Sequence, residues 1–257
     1  MRLLLSPAKT FRKDQLPVDA GASQPLFPEQ AAQIMSELSK VDAPALMKTM
    51  DISESLAQET AMRHQDWGGP FHPGNARTAI HAFHGEVYRA LGADRWSGND
   101  LDHAQDRLRI ISGLYGLLRP LDLIQEYRLE MGGRWSPKSK DSMYAFWGST
   151  LAQHLNSEEG GRNIVNLASQ EYFKAVDHTD LGLNVIHIHF KEQRGDAFKM
   201  IGTYAKTARG RMARFLIQER ISNAEDIRAF DEDGYRFNPA LSSENAYTFT
   251  RETPPTP

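Results

Sequence analysis

The feature that most constrains the fold is a strand pattern at each end of the chain, with helical patterns between them. Residues 2–5 form a short apolar run that Pro7 interrupts, which predicts a buried strand. Residues 184–190 and 197–204 alternate between apolar and polar side chains, which predicts two strands joined as a hairpin. We therefore expect distant segments of the chain to meet in one sheet.

Helical patterns fill the middle of the chain. The predicted helices are residues 28–40, 43–50, 53–64 and 97–118. The last is the longest, because its apolar residues recur every three or four positions until Pro120 ends the pattern. We predict a mixed α/β fold with central β-structure surrounded by helices. It forms a single domain over residues 1–251, followed by a short flexible tail at 252–257.

The composition excludes several kinds of chemistry. The chain has 257 residues and no cysteine, which rules out disulfides, thiolate nucleophiles and iron–sulfur clusters. His187 and His189 lie on one face of a predicted strand, but no third ligand stands at a metal-motif spacing, so we expect no metal and no cofactor. The first apolar run is too short for a signal peptide, and no run reaches the roughly 20 residues that span a bilayer. We expect a cytoplasmic protein with no membrane partner.

Charge is distributed unevenly along the C-terminal part of the chain. The net charge is −3, which by itself argues against nucleic acid as a partner. Residues 191–220 nevertheless hold eight lysines and arginines against three acids, a balance of +5, whereas residues 221–257 hold three arginines against seven acids, a balance of −4. A polyanion responds to local charge within a screening length of about 8–10 Å. The basic segment is therefore either an anion-binding surface or an ordinary solvated face.

Basic and hydroxyl side chains follow the first predicted strand. Ser6, Lys9 and Thr10 lie in the loop after it, where α/β proteins often bind ligands. The glycines of a phosphate-binding P-loop are missing, so this loop is either a phosphate contact or a turn with an exposed lysine. Arg119 follows the run SGLYG at 112–116, whose two glycines suggest a close backbone approach. Its alternative role is to interact with the dipole of a helix C-terminus.

Polar residues also follow the strand that we predict at 163–168. Asn166 lies near its end, Ser169 is typical of a helix N-cap and Glu171 would lie in the first helical turn. A helix N-terminus offers free N–H groups to an anion. The carboxylate of Glu171 equally suits simple compensation of the helix dipole.

Two further segments suggest contact with phosphate. Lys206 and Arg209 lie at the start of a basic helix predicted at 207–220, where free N–H groups and two cations would favour an anion. The alternative is a solvated basic helix face. Residues 80–88 are centred on Gly85 and could form a helix-hairpin-helix element that offers backbone N–H groups to phosphates. An ordinary bent helix is the alternative there.

Motifs along nearly the whole chain, in the same order, closely resemble those of the YaaA family. They are LSPAKT at 5–10, FHGEVY at 83–88, SGLYG at 112–116, RPLD at 119–122, YRLEMG at 127–132, FWG at 146–148, NLAS at 166–169, EYFK at 171–174, YAK at 204–206 and ARG at 208–210. A long, ordered set of matches of this kind is specific to a family.

The resemblance implies a role in resistance to hydrogen peroxide, linked to DNA repair and to limiting free iron. It implies DNA as the partner, either duplex or junction, held through its backbone without marked sequence preference. The implied site is a positively charged cleft with a helix-hairpin-helix motif near Gly85. The basic residues inside matching motifs are Lys9, Arg119, Arg128, Lys174, Lys206 and Arg209.

The same motifs contain polar groups that a purely electrostatic cleft does not need. They are Ser6, Thr10, Tyr115, Asp122, Glu130, Asn166, Ser169, Glu171 and Tyr172. Hydroxyl and carboxyl groups are typical of acid–base chemistry. Two functions therefore stay open at this point. One is a DNA-binding protein, and the other is an enzyme acting on a nucleotide or nucleic acid in the same cleft, with its catalytic residues unknown.

Overall fold

The computed structural model describes residues 1–14, 21–158 and 162–253. The strands are β1 (Arg2–Leu5), β2 (Thr10–Phe11), β3 (Arg77–Thr78), β4 (Phe83–His84), β5 (Leu108–Ser112), β6 (Gly116–Leu118), β7 (Leu123–Ile124), β8 (Asn163–Asn166), β9 (Asn184–Arg194), β10 (Ala197–Lys199), β11 (Arg236–Phe237) and β12 (Ala246–Arg251). The α-helices are α1 (Pro28–Leu38), α2 (Ala43–Met50), α3 (Glu54–Asp66), α4 (Ala79–Ala82), α5 (Glu86–Leu91), α6 (Gly98–Arg107), α7 (Met143–Trp147), α8 (Thr150–Ser157), α9 (Gln170–Phe173) and α10 (Gly202–Gln218).

The centre of the fold is a mostly parallel sheet. Across the described ranges, eight strands join in the order β11–β12–β9–β8–β1–β5–β6, with β10 paired to β9. The neighbours β12, β9, β8, β1 and β5 run parallel, and β6, β10 and β11 are antiparallel additions. Strand β1 is central, with Leu3 opposite both Leu108 of β5 and Val165 of β8. All its residues are buried, as expected for a parallel strand covered on both faces.

Most of the predicted elements are confirmed. The mixed α/β fold has its central sheet surrounded by helices, and β9 and β10 pair as the predicted hairpin. The bounds of the second strand are wrong, because β10 ends at Lys199 and α10 begins at Gly202 instead of residue 207. Lys206 and Arg209 therefore lie beyond the first turn of α10 and not at its free N–H groups. Gly195 makes the hairpin turn with a φ of +59°, a conformation that glycine adopts without steric cost. Ser53 caps α3 by accepting a hydrogen bond from the Leu56 N–H. Of the predicted tail, residues 254–257 lie outside the described ranges, and the domain limits stay a prediction.

The helix predicted at 97–118 is wrong in its second half. Helix α6 ends at Arg107, and the chain continues directly into β5 and then β6. Every residue of β5 is buried, so its apolar side chains serve both faces of the sheet and do not form one helical stripe. The glycines of the next turn have the suspected close contacts. A Cβ on Gly113 would lie 2.6 Å from the Leu129 carbonyl oxygen, and Gly116 has a φ of +71°.

The segment at 79–91 does not show the expected helix-hairpin-helix. Helices α4 and α5 flank the short strand β4, which pairs with β2 in the loop region after β1. The Thr10 hydroxyl donates a hydrogen bond to the His84 carbonyl across this pair. The arrangement is therefore helix–strand–helix. It ties Gly85 to the first loop, since a Cβ on Gly85 would lie 3.5 Å from that of Ala8.

Helix α10 packs unusually closely on α5. A Cβ on Gly210 would lie 2.1 Å from the Val87 carbonyl oxygen and 2.9 Å from the Ala90 Cβ. Only glycine fits at this position, because any side chain there would overlap the backbone of α5. The first turn of α5 therefore touches both α10 and, through Gly85, the loop after β1.

No helix within the described ranges combines the length and the hydrophobicity that crossing a bilayer requires.

Candidate functional site

The sheet has a reversal of strand order at β1. The chain passes from β1 to β5 on one side and later enters the sheet on the other side of β1 as β8. In parallel α/β sheets, a crevice opens beyond the carboxyl ends of the strands at such a point, and ligands bind there. The loops that begin at Ser6 and Leu167 leave β1 and β8 at this edge. We call it the carboxyl edge.

Hydrogen bonds fasten the two loops together at the carboxyl edge. The Ser169 N–H donates to Ser6 Oγ at 2.8 Å, and the two serine hydroxyl oxygens lie 3.3 Å apart. Ser169 begins α9 as predicted, but its side chain makes no capping bond to that helix. The Tyr88 hydroxyl donates to the Ser6 carbonyl at 2.9 Å. Asn166 orders the second loop, because its Oδ1 accepts the Ala168 N–H at 2.9 Å.

Two of the predicted cations converge on one carboxylate. Glu130 Oε1 lies 2.8 Å from Lys9 Nζ and 3.4 Å from Arg128 Nη2. These residues surround a small hollow that Tyr127 and Tyr172 also line. Lys9 and Arg128 are thus brought together as expected, but an internal acid already balances part of their charge.

A buried histidine holds the backbone of Arg128. The Arg128 N–H donates to His64 Nε2 at 3.2 Å. Burial lowers the pKa of His64 to about 4, so the ring is neutral near pH 7 and is able to accept this bond. The Nε of Arg128 is itself buried and has no hydrogen-bond partner among the described residues.

Tyrosine hydroxyls lie beneath the hollow and stay protonated. Burial raises the pKa of Tyr127, whose hydroxyl is 2.7 Å from Ser112 Oγ, and burial likewise raises the pKa of Tyr172. The neighbouring Glu130 and Glu171 carboxylates add to the increase in the pKa of Tyr172. Such groups act as hydrogen-bond donors and not as bases near neutral pH.

Glu171 and Lys174 lie beside this hollow. Glu171 Oε1 accepts the Gly132 N–H at 3.0 Å, and its carbonyl accepts the Tyr144 hydroxyl at 2.9 Å. Lys174 Nζ lies 4.8 Å above the Tyr144 ring, which is a cation–π distance. The motif at 171–174 therefore connects α9 to the loop that follows Glu130.

Basic side chains of β9 and α10 form a second cluster, the cationic patch, which consists of His187, His189, Lys191 and Arg209. It begins next to Asn166, whose Nδ2 lies 3.2 Å from His187 Nδ1, and the rings of His187 and His189 stack at 6.4 Å. Partial burial lowers the pKa of His189, and the positive charges of the other three patch residues lower it further. No acid is among the causes of this shift.

Arg209 is the most constrained member of the patch. It lies partly buried on α10, and its Nε is buried with no hydrogen-bond partner within the described ranges. Burial lowers the pKa of its guanidinium, which shows that the protein solvates this charge poorly. Lys206 lies one turn earlier on α10, on the same side of the helix, and is exposed.

The sequence was compared with known proteins. A family model described as peroxide stress protein YaaA matches residues 1–241. The chain belongs to the YaaA family. It is 45% identical over 254 residues to a UPF0246 protein of Cellvibrio japonicus, covering 98% of each chain. It is 42% identical over 255 residues to one of Hahella chejuensis, covering 98% of this chain and 100% of that one.

Some predicted residues of this YaaA-family chain lie away from the carboxyl edge. Arg119 follows β6, which runs antiparallel to β5, and its Nη2 lies 2.8 Å from the fully buried Asp122. Tyr115 is also fully buried, where its hydroxyl accepts the Trp67 Nε1–H at 2.9 Å. Both residues shape the fold of the YaaA motifs at 112–122, and neither is brought to the hollow or to the patch.

The outer arginines of α10 are neutralised by the acidic C-terminal segment. Arg211 Nη1 lies 2.6 Å from Asp233 Oδ1, and Arg214 Nη2 contacts Glu232 Oε2. These pairs join the segment with a charge of +5 to the one with −4, so the expected basic cleft is not shown as a continuous surface. What remains in this member of the YaaA family is the smaller cationic patch.

Sequence reasoning missed the role of the two histidines. The sequence pattern raised them only as metal ligands, whereas the structure places them beside Lys191 and Arg209. The period-two spacing of His187, His189 and Lys191 on β9 placed them on one face, but nothing local indicated that α10 packs there. Across the described part of this YaaA-family chain, no group of three or more His, Asp or Glu side chains is arranged to hold a metal ion.

Proposed function

We propose that this protein of the YaaA peroxide-stress family binds DNA through its phosphate backbone, without reading its sequence, at the carboxyl edge. The observation that carries the proposal is Arg209, a partly buried cation whose Nε has no hydrogen-bond partner and which forms no ion pair with an acid among the described residues. Leaving a charge in such a setting without a counterion is costly. A phosphate oxygen would supply both the missing acceptor and the missing negative charge.

The remaining contacts follow from the residues around Arg209. His189 is close enough to His187, Lys191 and Arg209 to feel their charges, and Lys206 extends the positive charge along α10. A second group of cations would contact the DNA backbone from the neighbouring loops along the same edge. It consists of Lys9, Arg128 and Lys174. Contacts of this kind fix a nucleic acid in position but carry no sequence information.

Acidic side chains of the protein limit the number of DNA phosphates that its cations are able to neutralise. Glu130 balances Lys9 and Arg128, and the pairs of Arg211 and Arg214 with the C-terminal acids leave few free cations on α10. The affinity for duplex DNA should therefore depend on salt with a small slope, since log K falls by about 0.9 for each phosphate that is neutralised.

Fluorescence anisotropy with two unrelated duplexes of equal length, at several salt concentrations, tests the proposal. We expect equal affinities for the two duplexes, and both should weaken as salt rises. Arg209→Met should weaken binding and reduce the salt slope by about 0.9, the contribution of one phosphate. Arg236→Met removes the same charge from the exposed edge strand β11 and is the matched control.

Three outcomes of that titration would reject DNA binding at this site. They are the absence of binding, binding that does not respond to salt, and equal losses in the Arg209→Met and Arg236→Met proteins. Circular dichroism spectra and melting temperatures of both variants verify that they are folded.

An enzyme acting on a nucleotide or nucleic acid is the second candidate. It is favoured by Glu130, a carboxylate held between Lys9 and Arg128, with the protonated Tyr172 beside it. A general acid and an acceptor within one hollow are typical of catalysis and are not required for backbone binding. Incubation with nucleotides and with oxidised duplex DNA, followed by mass spectrometry, tests it. Unchanged masses of every substrate would reject this second candidate.

A further inference from the structure

A second hollow adjoins the Lys9 loop and belongs neither to the cationic patch nor to the first hollow. Its volume is about 190 Å³, and residues 49–51 and 132–135 form its walls. It shares Leu129 and Glu130 with the hollow beneath Lys9, so Glu130 separates the two spaces. We call it the Trp135 hollow.

The carboxylate of Glu130 has one committed oxygen and one free oxygen. Lys9 and Arg128 both approach Oε1, whereas no side chain or backbone group of the described ranges donates to Oε2. The side chain is 24% exposed, so Oε2 depends on a ligand or water for its hydrogen bonds. The two cations also fix the orientation of the carboxylate. Oε2 is therefore the oxygen of Glu130 that stays available to a ligand, and Glu130 is one of the residues that line the Trp135 hollow.

The walls suit a flat ring. Trp135 and Met50 contribute aromatic and thioether surface, both of which stack favourably on a planar π-system. Gly132 and Gly133 also line the hollow and contribute no side chains to it. A Cβ on Gly132 would lie 3.0 Å from Glu171 Cγ, and one on Gly133 would lie 3.2 Å from the Glu130 carbonyl oxygen.

The rim carries an available cation. Arg134 is exposed and has no ion pair or hydrogen bond with any described residue. A ligand with a planar ring in the hollow and a phosphate outside it would satisfy Arg134 and Glu130 together. Nucleotides combine these two features.

We propose that the Trp135 hollow takes an unpaired nucleobase, with a base N–H donating to Glu130 Oε2 and the adjoining phosphate lying near Arg134. The hydrogen-bonding edge of a paired base is occupied by the opposite strand. Glu130 therefore selects a base that is single-stranded or turned out of the helix. This inference rests on the proposed DNA binding for the source of the base, and it adds the structural state of the DNA that is recognised.

Binding of free nucleosides tests the hollow without the contribution of a backbone. We expect the tryptophan fluorescence to change on addition of guanosine or adenosine, and this change to disappear in Trp135→Phe. Glu130→Gln should weaken binding at least tenfold. With the amide oxygen turned to Lys9 and Arg128, the amide N–H₂ replaces Oε2 and faces the base N–H as a second donor. Glu126→Gln, a partly exposed acid that pairs with Arg63 and does not line this hollow, is the matched control.

The contact between Arg134 and the phosphate is tested by comparing a nucleotide with its nucleoside. A nucleoside 5′-monophosphate should bind several-fold more tightly than its nucleoside. Arg134→Gln should remove this difference and leave nucleoside binding unchanged. Arg134 is exposed, so this variant is expected to fold even if Glu130→Gln does not. Equal losses for the nucleoside and the monophosphate in Arg134→Gln would overturn the placement of the phosphate.

Oligonucleotides distinguish a base within a strand from a free nucleotide. A single-stranded oligomer should bind more tightly than its mononucleotide, and Glu130→Gln should weaken the single strand but not the duplex. If duplex DNA binds through Arg209 and no nucleoside, nucleotide or single strand responds to Glu130→Gln, the inference is overturned and the proposed function stands. If mononucleotides bind as expected but no DNA does, the proposed function is rejected and the hollow is a nucleotide site.

Discussion

Buried arginines at the two ends of the parallel strands differ in whether they contact an acidic side chain. Near the amino ends, Arg2 of β1 and Arg109 of β5 both contact Glu158, at 2.9 and 2.6 Å. Beyond the carboxyl ends, Arg209 has a buried Nε without a hydrogen-bond partner and forms no ion pair with an acid among the described residues. Removing one partner of a buried ion pair is costly, whereas Arg209 is the cation to which we assign an external anion under the proposed function.

Mutations in the cluster of Arg2, Arg109 and Glu158 should destabilise the protein more than mutation of Arg209. Burial alone would raise the pKa of Glu158, but the neighbouring His154 and the charges of Arg109 and Arg2 lower it to about 2. Glu158→Gln removes the carboxylate charge that Arg2 and Arg109 both contact and should lower the free energy of unfolding by about 3–5 kcal/mol. Urea denaturation measures this loss.

The exposed pair of Glu59 and Arg63 provides the matched control. Their charged atoms lie 2.7 Å apart on the surface of α3, so Glu59→Gln should cost less than about 0.5 kcal/mol. If Glu158→Gln is no more destabilising than this control, the distinction between the two ends of the strands does not hold.

His64 shows a third way to bury a basic group, which is to keep it neutral. Its pKa is about 4 in the folded protein against 6.5 for the free side chain, so the unfolded chain binds the proton more tightly. Stability is fully present above pH 6.5 and should fall by up to about 3 kcal/mol as the pH decreases to 4. Glu158, with a folded pKa near 2, contributes its loss only below pH 4.5. Urea denaturation between pH 7 and pH 4.5 therefore measures the contribution of His64 without that of Glu158.

His64→Gln should flatten this part of the pH profile, because the glutamine oxygen accepts the Arg128 N–H without titrating. The variant should remain folded at pH 7. An unchanged dependence on pH between 6.5 and 4.5 would show that other histidines, such as His189 or His103, whose pKa values are also lowered by burial, account for the effect.

A small effect on stability is expected at Arg209. Arg209→Met removes a cation that has no internal partner, so the free energy of unfolding should change by less than about 1 kcal/mol, in either direction. The same substitution at Arg109 breaks the contact with Glu158 and should cost about 3 kcal/mol or more. Parallel urea denaturation of the two variants compares the two ends of the strands directly. Equal losses would contradict the comparison.

The extent to which the fold could be predicted depended on where each strand lies. Strand β1 is bounded by Pro7, and the β9–β10 hairpin turns at Gly195, so both have local signals that interrupt their patterns. Strand β5 follows α6 without a break and is buried on both faces. It therefore lacks both alternation and a boundary, and its apolar residues matched a helical period equally well.

The sequence predicted which residues belong to the candidate site, but not which of them contact one another. Local motifs predicted that Ser6 and Ser169 follow strands, and the structure joins them across the carboxyl edge. Glu130 and Arg128 belong to one motif at 127–132, but the contact of Glu130 with Lys9 bridges more than a hundred residues of chain. The approach of α10 to His189 is likewise a tertiary contact, which no local pattern specifies.

The close packing at Gly210 affects the distance between the two groups of cations. The first turn of α5 touches α10 at Val87 and the Lys9 loop at Gly85, so it separates the two groups of cations by a fixed interval. Because backbone rests on backbone at Gly210, no side-chain rearrangement adjusts that interval. Under the proposed function, the contact between α5 and α10 therefore sets the distance that one polyanion has to span to meet both groups of cations.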